Sequence, residues 1–252
     1  MSHILSAIEK QAVISNLRDR LTMVPARPGQ FVAEDGTIYG PCLLISRECG
    51  SGGTMIARQA GEWLGWNVFD ARIVDEIARS AHVLQRVVQN VDERAFSGWE
   101  RALHEFLPDD LADERYFHYL REVILELGRH GNVVIVGRGA QYILPPQCAV
   151  RVRLVAPLEE RTKRVAERLK MSLDEARSQV WATDKQREAF LWRIFRKEAG
   201  APLNQDIIIN TGAVNIDSAL KIVIAVLQEK LGVPAKKQPG SFKEMHEQSV
   251  TQ

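Results

Sequence analysis

The sequence offers little that would bind a metal, cross a membrane or hold a polyanion by bulk charge. It has three cysteines in 252 residues, Cys42, Cys49 and Cys148. None stands at a metal-ligand spacing, so neither a zinc site nor a disulfide framework organises this chain, and the odd count fits reduced thiols in a cytoplasm. Cys42 reads as core, while Cys49 is either a small residue that fits its loop or a reactive thiol. No apolar run approaches the ~20 residues of a membrane-spanning helix. The first residues also lack the basic-then-apolar pattern of a secretory signal. An excess of one charge is missing too: Lys+Arg 33 stand against Asp+Glu 32. That balance argues against nucleic acid and anionic membranes as partners and leaves any anion chemistry to local arginine clusters.

What is present is a globular composition, 45% hydrophobic, enough for one large α/β domain with insertions. The chain is organised around Cys42 to Leu64. An apolar run through Ile45 reads as a buried strand, Gly50, Ser51, Gly52 and Gly53 as a tight loop, and the segment from Thr54 as a helix with Ile56, Ala60 and Leu64 on one face. A loop of this kind leaves backbone N–H groups pointing at an anion at a helix N-terminus, so phosphate is its natural ligand. Thr54 sits where a P-loop places its hydroxyl on Mg2+. In that alignment the first glycine of the motif is Arg47 and its lysine is Gly53. The competing reading is a glycine-rich turn that only lets the strand pack on its helix.

Residues 1–40 are expected to form an amphipathic helix (Ile4, Ile8, Val13, Ile14, Leu17, Leu21) and, after Pro25 and Pro28, a connector. The apolar face of that helix can pack on its own domain, dock a partner or pair two subunits as a homodimer. After the loop and its helix, residues 65–70 predict a second strand ending in Asp70. Residues 71–128 predict a charged helical insertion broken near Pro108, with Phe117, Leu120, Ile124 and Leu127 on an apolar face. Further strands are expected at 133–136, 150–155 and 207–209, the fourth alternating as if one of its faces were less buried or nearer an edge. A closing helix is expected from Asp217, as N-cap, to Gly232. Residues 233–252 are expected to be disordered. The whole predicts a doubly wound, five-stranded parallel sheet.

Two further stretches carry charge in a suggestive pattern. The third strand ends in Gly137-Arg138-Gly139, an arginine at the strand edge where open sheets place their ligand crevice. In the region 157–200, Arg161, Arg164 and Arg168 share a helical face, and Asp184 and Arg187 lie one turn apart. Solvated, salt-bridged faces are the alternative, with Glu159, Glu160, Glu167 and Glu175 at hand.

Taken together, residues 45–54, Val136-Gly137-Arg138-Gly139, Arg161 to Arg164, Asp184 to Arg187 and Asp206 to Thr211 resemble the cytidylate kinase-like family of P-loop nucleoside monophosphate kinases, over about residues 41–231. The resemblance implies a P-loop kinase-like domain over 41–232 that uses ATP and Mg2+ and transfers a phosphoryl group to a CMP-like monophosphate or a related small acceptor. Gly50, Ser51, Gly52, Gly53 and Thr54 would cradle the donor phosphates, with Thr54 near the metal. Arg138 and Arg187 would hold the acceptor phosphate, with Asp184 and Asp70 on the acceptor side, and Arg161 and Arg164 would belong to a mobile lid. The sequence departs from cytidylate kinases at three positions: Gly53 replaces the lysine, Gly139 an aspartate and Val180 an arginine. Arg47 is the candidate to supply the missing charge, ahead of the lid arginines. If so, lysine at position 53 should partly rescue an Arg47→Ala variant. The alternative function is a nucleotide-binding sensor or scaffold without catalysis.

Overall fold

The computed structural model describes residues 29–75, 77–78 and 109–234. The expected N-terminal helix with its dimer surface, much of the helical insertion and all but the start of the expected disordered tail lie outside them.

A short antiparallel hairpin comes first, β1 (Phe31–Val32) and β2 (Ile38–Tyr39). Its turn is closed by Asp35, whose carboxylate accepts from the Thr37 N–H at 2.9 Å, and by Gly36 at φ 79°. The sequence reading had a connector here, and the Asp-Gly pair between short β-prone runs was the overlooked hairpin signal.

The central sheet has five strands: β3 (Cys42–Arg47), β4 (Asn67–Phe69), β5 (Val133–Val136), β6 (Ala149–Val155) and β7 (Ile207–Asn210). Their order is β4-β5-β3-β6-β7, and every pairing is parallel. Continuous apolar strands such as Val133–Val136 are what a sheet covered on both faces selects. Alternate residues of β3 enter two cores: Cys42 and Leu44 face one, Leu43 and Ile45 the other. The first core is covered by α2 (Asp109–His130), through Leu120, Ile124 and Leu127. The second is covered by α1 (Gly53–Leu64) and α5 (Ile216–Leu231), through Ile56, Ala60, Leu64, Leu220, Val223 and Leu227. Full burial of one such side chain is worth about 1.5–3 kcal/mol, so the two layers carry the fold.

The alternation in β6 reflects a less buried face, as expected. The strand is interior to the sheet, and its half-buried positions are Arg151, Arg153 and Val155, of which the two arginines pair with Asp206 and Glu48. At α5, Asn215 caps the helix through its side-chain oxygen, which accepts from the Ser218 N–H at 2.8 Å, and Asp217 lies in the first turn. Between β6 and β7 stands a helical hairpin, α3 (Leu158–Leu169) and α4 (Leu173–Phe195). Ser172 and Glu175 form a capping box that starts α4 sharply.

Candidate functional site

All five strands run parallel, so the ends of β3, β4 and β5 open on one crevice. At its centre is the loop between β3 and α1. Gly50 and Gly52 both have φ near +82°, and a Cβ on Gly50 would lie 2.6 Å from the Arg161 carbonyl oxygen. The loop is therefore wound tightly against α3 and tolerates only glycine there. Ser51 is fully buried, its hydroxyl donating to the Glu48 carbonyl at 2.9 Å, so this side chain braces the loop from within.

The first bond of α1 runs from the Ile56 N–H to the Gly52 carbonyl at 3.0 Å. The amides of Gly53, Thr54 and Met55 precede it and have no carbonyl partner in the helix. This N-terminus has no side-chain cap and no acid in its first turn. Bare amides and an uncompensated dipole end favour an anion. Thr54 is exposed in the first turn.

The arginines divide into two groups. Arg161 and Arg164, expected in a mobile lid, are tied down in this conformation. Arg161 is buried and donates to the Ala156 carbonyl at 2.9 Å, to the Cys49 carbonyl at 3.1 Å and to Asp184, with Glu48 at 3.3 Å. Arg164 donates to the hydroxyl and carbonyl of Thr211 at 3.0 and 2.7 Å, and the Thr211 hydroxyl in turn donates to the Ser51 carbonyl at 3.0 Å. Both brace the loop from the α3 side. Arg168 is exposed.

Arg47, Arg138 and Arg187 form the second group. Arg187 donates to the Arg47 carbonyl at 3.1 Å and lies 3.7 Å from Asp184. Arg138, at φ 54°, makes a two-pronged pair with Asp75 and lies over the Phe190 ring, 5.0 Å from its centroid. Burial works against its charge, but the bond to Asp75 together with the nearby charge of Tyr116, Asp75 and Asp70 outweighs this and raises its pKa. Arg47 has no side-chain hydrogen bond or ion pair to any described residue, and its Nε is buried without a partner. Burial, with repulsion from Arg187 and Arg138, pulls its pKa down to about 10, so it stays charged at neutral pH.

Asp184 and Arg187 share a face of α4, as their spacing predicts. Asp184, however, accepts from the Cys49 N–H at 2.7 Å with one oxygen and from Arg161 with the other. Asp70 follows β4 and caps the next helix, one oxygen accepting from the amides of Arg72 and Ile73 at 2.9 and 3.0 Å.

Residues that the sequence reading passed over complete the site. Glu48 pairs with Arg161 and accepts from the Ala156 N–H at 3.2 Å. Asp75 holds Arg138 and also accepts from the Tyr116 hydroxyl at 2.7 Å. Phe190 continues the spacing of Asp184 and Arg187 along α4, and Phe195, two turns on from Arg187, returns to that face; this spacing was the available signal. The Cys49 side chain packs with Val165, Ala166, Ala176 and Val180 between α3 and α4, which favours the small-residue reading over a reactive thiol.

Residues 43–213 match the model of the Cytidylate kinase-like family. A cytidylate kinase of Ignicoccus hospitalis is 28% identical over 190 residues, covering 73% of this chain and 98% of its own. One of Saccharolobus islandicus is 25% identical over 190 residues, covering 73% and 89%. The crystal structure of an uncharacterised protein from Eubacterium ventriosum has a TM-score of 0.58 at 21% identity, covering 75% of this chain and 98% of its own. That likeness is one of fold.

Proposed function

The chain belongs to the cytidylate kinase-like family, and from that premise we propose that it transfers a phosphoryl group from ATP, with Mg2+, to a nucleoside monophosphate. CMP is the first acceptor to test, because the named relatives are cytidylate kinases. The observation that carries this reading is the gathering of three guanidiniums, from β3, from the end of β5 and from α4, near an uncapped glycine-lined helix start. A cluster of like charges with too few acids to balance it is relieved when an anion binds, and transfer between two phosphates brings several.

In this reading the donor phosphates rest on the amides at the start of α1. Among the described residues no cluster of acids, cysteines and histidines could hold a metal by itself. That suits Mg2+, which keeps its waters, takes one or two protein oxygens and draws the rest from phosphate. Thr54 is the protein hydroxyl available to it, and the ion would screen charge on the phosphate oxygens. Arg138 and Arg187 hold the acceptor phosphate, and Asp75 and Phe190 fix the plane of Arg138. Asp70 has one oxygen without a hydrogen bond among the described residues, and this oxygen serves the acceptor side. An acceptor phosphate oxygen attacks the γ-phosphorus, the bond to the β–γ bridging oxygen breaks, and ADP leaves with that electron pair. The attacking oxygen is already largely deprotonated at neutral pH, since the second pKa of a phosphate monoester is about 6, so no side chain must act as base.

Single-turnover transfer from γ-labelled ATP to a panel of nucleoside monophosphates tests the proposal. One acceptor should take up label as ADP appears in equal amount. Tight ATP binding with no transfer to any monophosphate would instead make the chain a nucleotide-binding sensor or scaffold.

A further inference from the structure

The P-loop pattern asks for glycine where this chain has Arg47 and for lysine where it has Gly53. The structure shows that the two departures are one exchange. A Cβ built on Gly53 would lie 2.7 Å from both Cβ and Cγ of Arg47. The stem of Arg47 thus occupies the space from which a lysine at 53 would leave the backbone. The head of Arg47 then reaches β5, where a Cβ on Gly137, at φ 86°, would collide with its Nη1. The stem of Arg47 needs glycine at 53, and its head lies where a side chain on Gly137 would project, a position whose own φ already favours glycine. Three positions on three elements therefore fit one another around a single guanidinium.

We infer that Arg47 is the loop's own phosphate cation, carried by the strand instead of the helix, and that it contacts the outer phosphates of the bound nucleoside triphosphate. This rests on the proposed phosphoryl transfer and assigns the charge that transfer needs. Three further observations separate Arg47 from its rivals. Arg161 and Arg164 are spent on Cys49, Ala156, Asp184 and Thr211. Glu48, the adjacent carboxylate, turns to Arg161 and the Ala156 amide and leaves Arg47 alone. The buried Nε of Arg47 has no acceptor. A protein that only needed to fill this space would do so more stably with a neutral side chain, since burying an unpaired charge is costly. The guanidinium lies close enough to Arg187 and Arg138 to feel their charge, and its Nη1 is beside Gly137, next in the chain to Arg138.

The same geometry corrects the expectation that lysine at 53 would rescue Arg47→Ala. Alanine keeps the Cβ that lies 2.7 Å from the one a lysine would bring. The exchange must be reversed in full, as Arg47→Gly with Gly53→Lys.

The test compares wild type, Arg47→Met, Arg47→Lys and the double variant. Thermal midpoints are read without ligand, with Mg·ATP and with AMP, which lacks the outer phosphates, alongside single-turnover transfer. Arg47→Met keeps the stem, so its ligand-free midpoint should equal or exceed that of wild type. Its Mg·ATP shift should nearly vanish, its AMP response should persist, and transfer should fall by about a hundredfold or more. Arg47→Lys should fall between, and the double variant should recover at least about a tenth of wild-type transfer. If Arg47→Met binds Mg·ATP and transfers within about threefold of wild type, Arg47 is a structural strut and the inference is overturned. If wild type transfers to no acceptor while Arg47 still governs the response to Mg·ATP over AMP, the proposed function fails and the inference stands. A wild type that does not respond to Mg·ATP overturns both.

Discussion

A carboxylate that accepts from a loop amide with one oxygen and from a buried guanidinium with the other has little left for a ligand. Asp184 is in that position, with Cys49 and Arg161 as its partners. Its role in this conformation is to hold the loop, although a monophosphate kinase resemblance puts it on the acceptor nucleoside. Asp184→Asn replaces one accepting oxygen with a donor and leaves buried Arg161 with Glu48, at 3.3 Å, as its remaining countercharge. A loss of about 3 kcal/mol is expected in urea unfolding, the lower end for a broken buried pair. In the same variant the KM for ATP should rise more than the KM for the acceptor. A change confined to the acceptor would return Asp184 to substrate recognition. Thr54→Ala addresses the metal: it should weaken ATP binding with Mg2+ present more than with chelator, and equal losses would make the hydroxyl structural.

Among the elements, α4 links the two halves of the site. Its first turns are fixed by the capping box at Ser172. Its middle turns bind the loop through Asp184 and Arg187. Its last turns lay Phe190 over Arg138 and Phe195 against Phe117 and Tyr142. Phe195 sits where a side chain on Gly139 would project, and Gly139 is at φ 68°. Gly139→Ala should therefore destabilise by about 1–3 kcal/mol from backbone strain alone. It should also shift acceptor KM by displacing the aromatic end of α4. Unchanged denaturant midpoints would show that the ring yields freely.

At the edge of the sheet, Asp206 just before β7 accepts from Arg151 of β6 and Lys230 of α5, both at 2.8 Å. Burial alone would raise its pKa, but the bonds from Arg151 and Lys230 outweigh it and hold the carboxyl below the usual range. A depressed folded pKa means that Asp206 contributes stability above its unfolded value, near 4, and loses it as pH falls through the folded one. Asp206→Asn should flatten that part of the acid limb. An acid limb identical to wild type between about pH 5 and 3 would assign the loss to other carboxylates.

For the molecule as a whole, ligand binding and stability are linked through the bare amides at the start of α1 and the unpaired charge. Mg·ATP at about 100 times its dissociation constant should stabilise the protein by roughly 2.7 kcal/mol. For a chain of this size that is a rise of roughly 5–10 °C in Tm. Chelating Mg2+ should remove much of it, and a shift insensitive to chelation would place the ATP elsewhere than against Thr54. Ile56→Ala, deep in the core between α1 and the sheet, should cost about 2–5 kcal/mol. Calorimetry of the ligand-free protein measures that cost without reference to nucleotide.

The fold was largely legible in the residue pattern, because its signals are local. The strand at 133–136, the helix face of Ile56, Ala60 and Leu64, and the stop at Gly232 each follow from periodicity or backbone freedom within a few residues. Parallel order follows from strands alternating with helices, and the family from five short motifs in sequence. The departures from those motifs could not be interpreted the same way, since each answers a packing neighbour that periodicity does not reveal. Gly53 and Gly137 make room for Arg47, Gly139 for Phe195, and Val180 packs in a cluster with Cys49. Which arginines are spent and which stay free was likewise settled only by the fold. Spacing along one helix says which side chains share a face, but hydrogen bonds to Ala156, Cys49 and Thr211 depend on chain segments that only tertiary packing brings together.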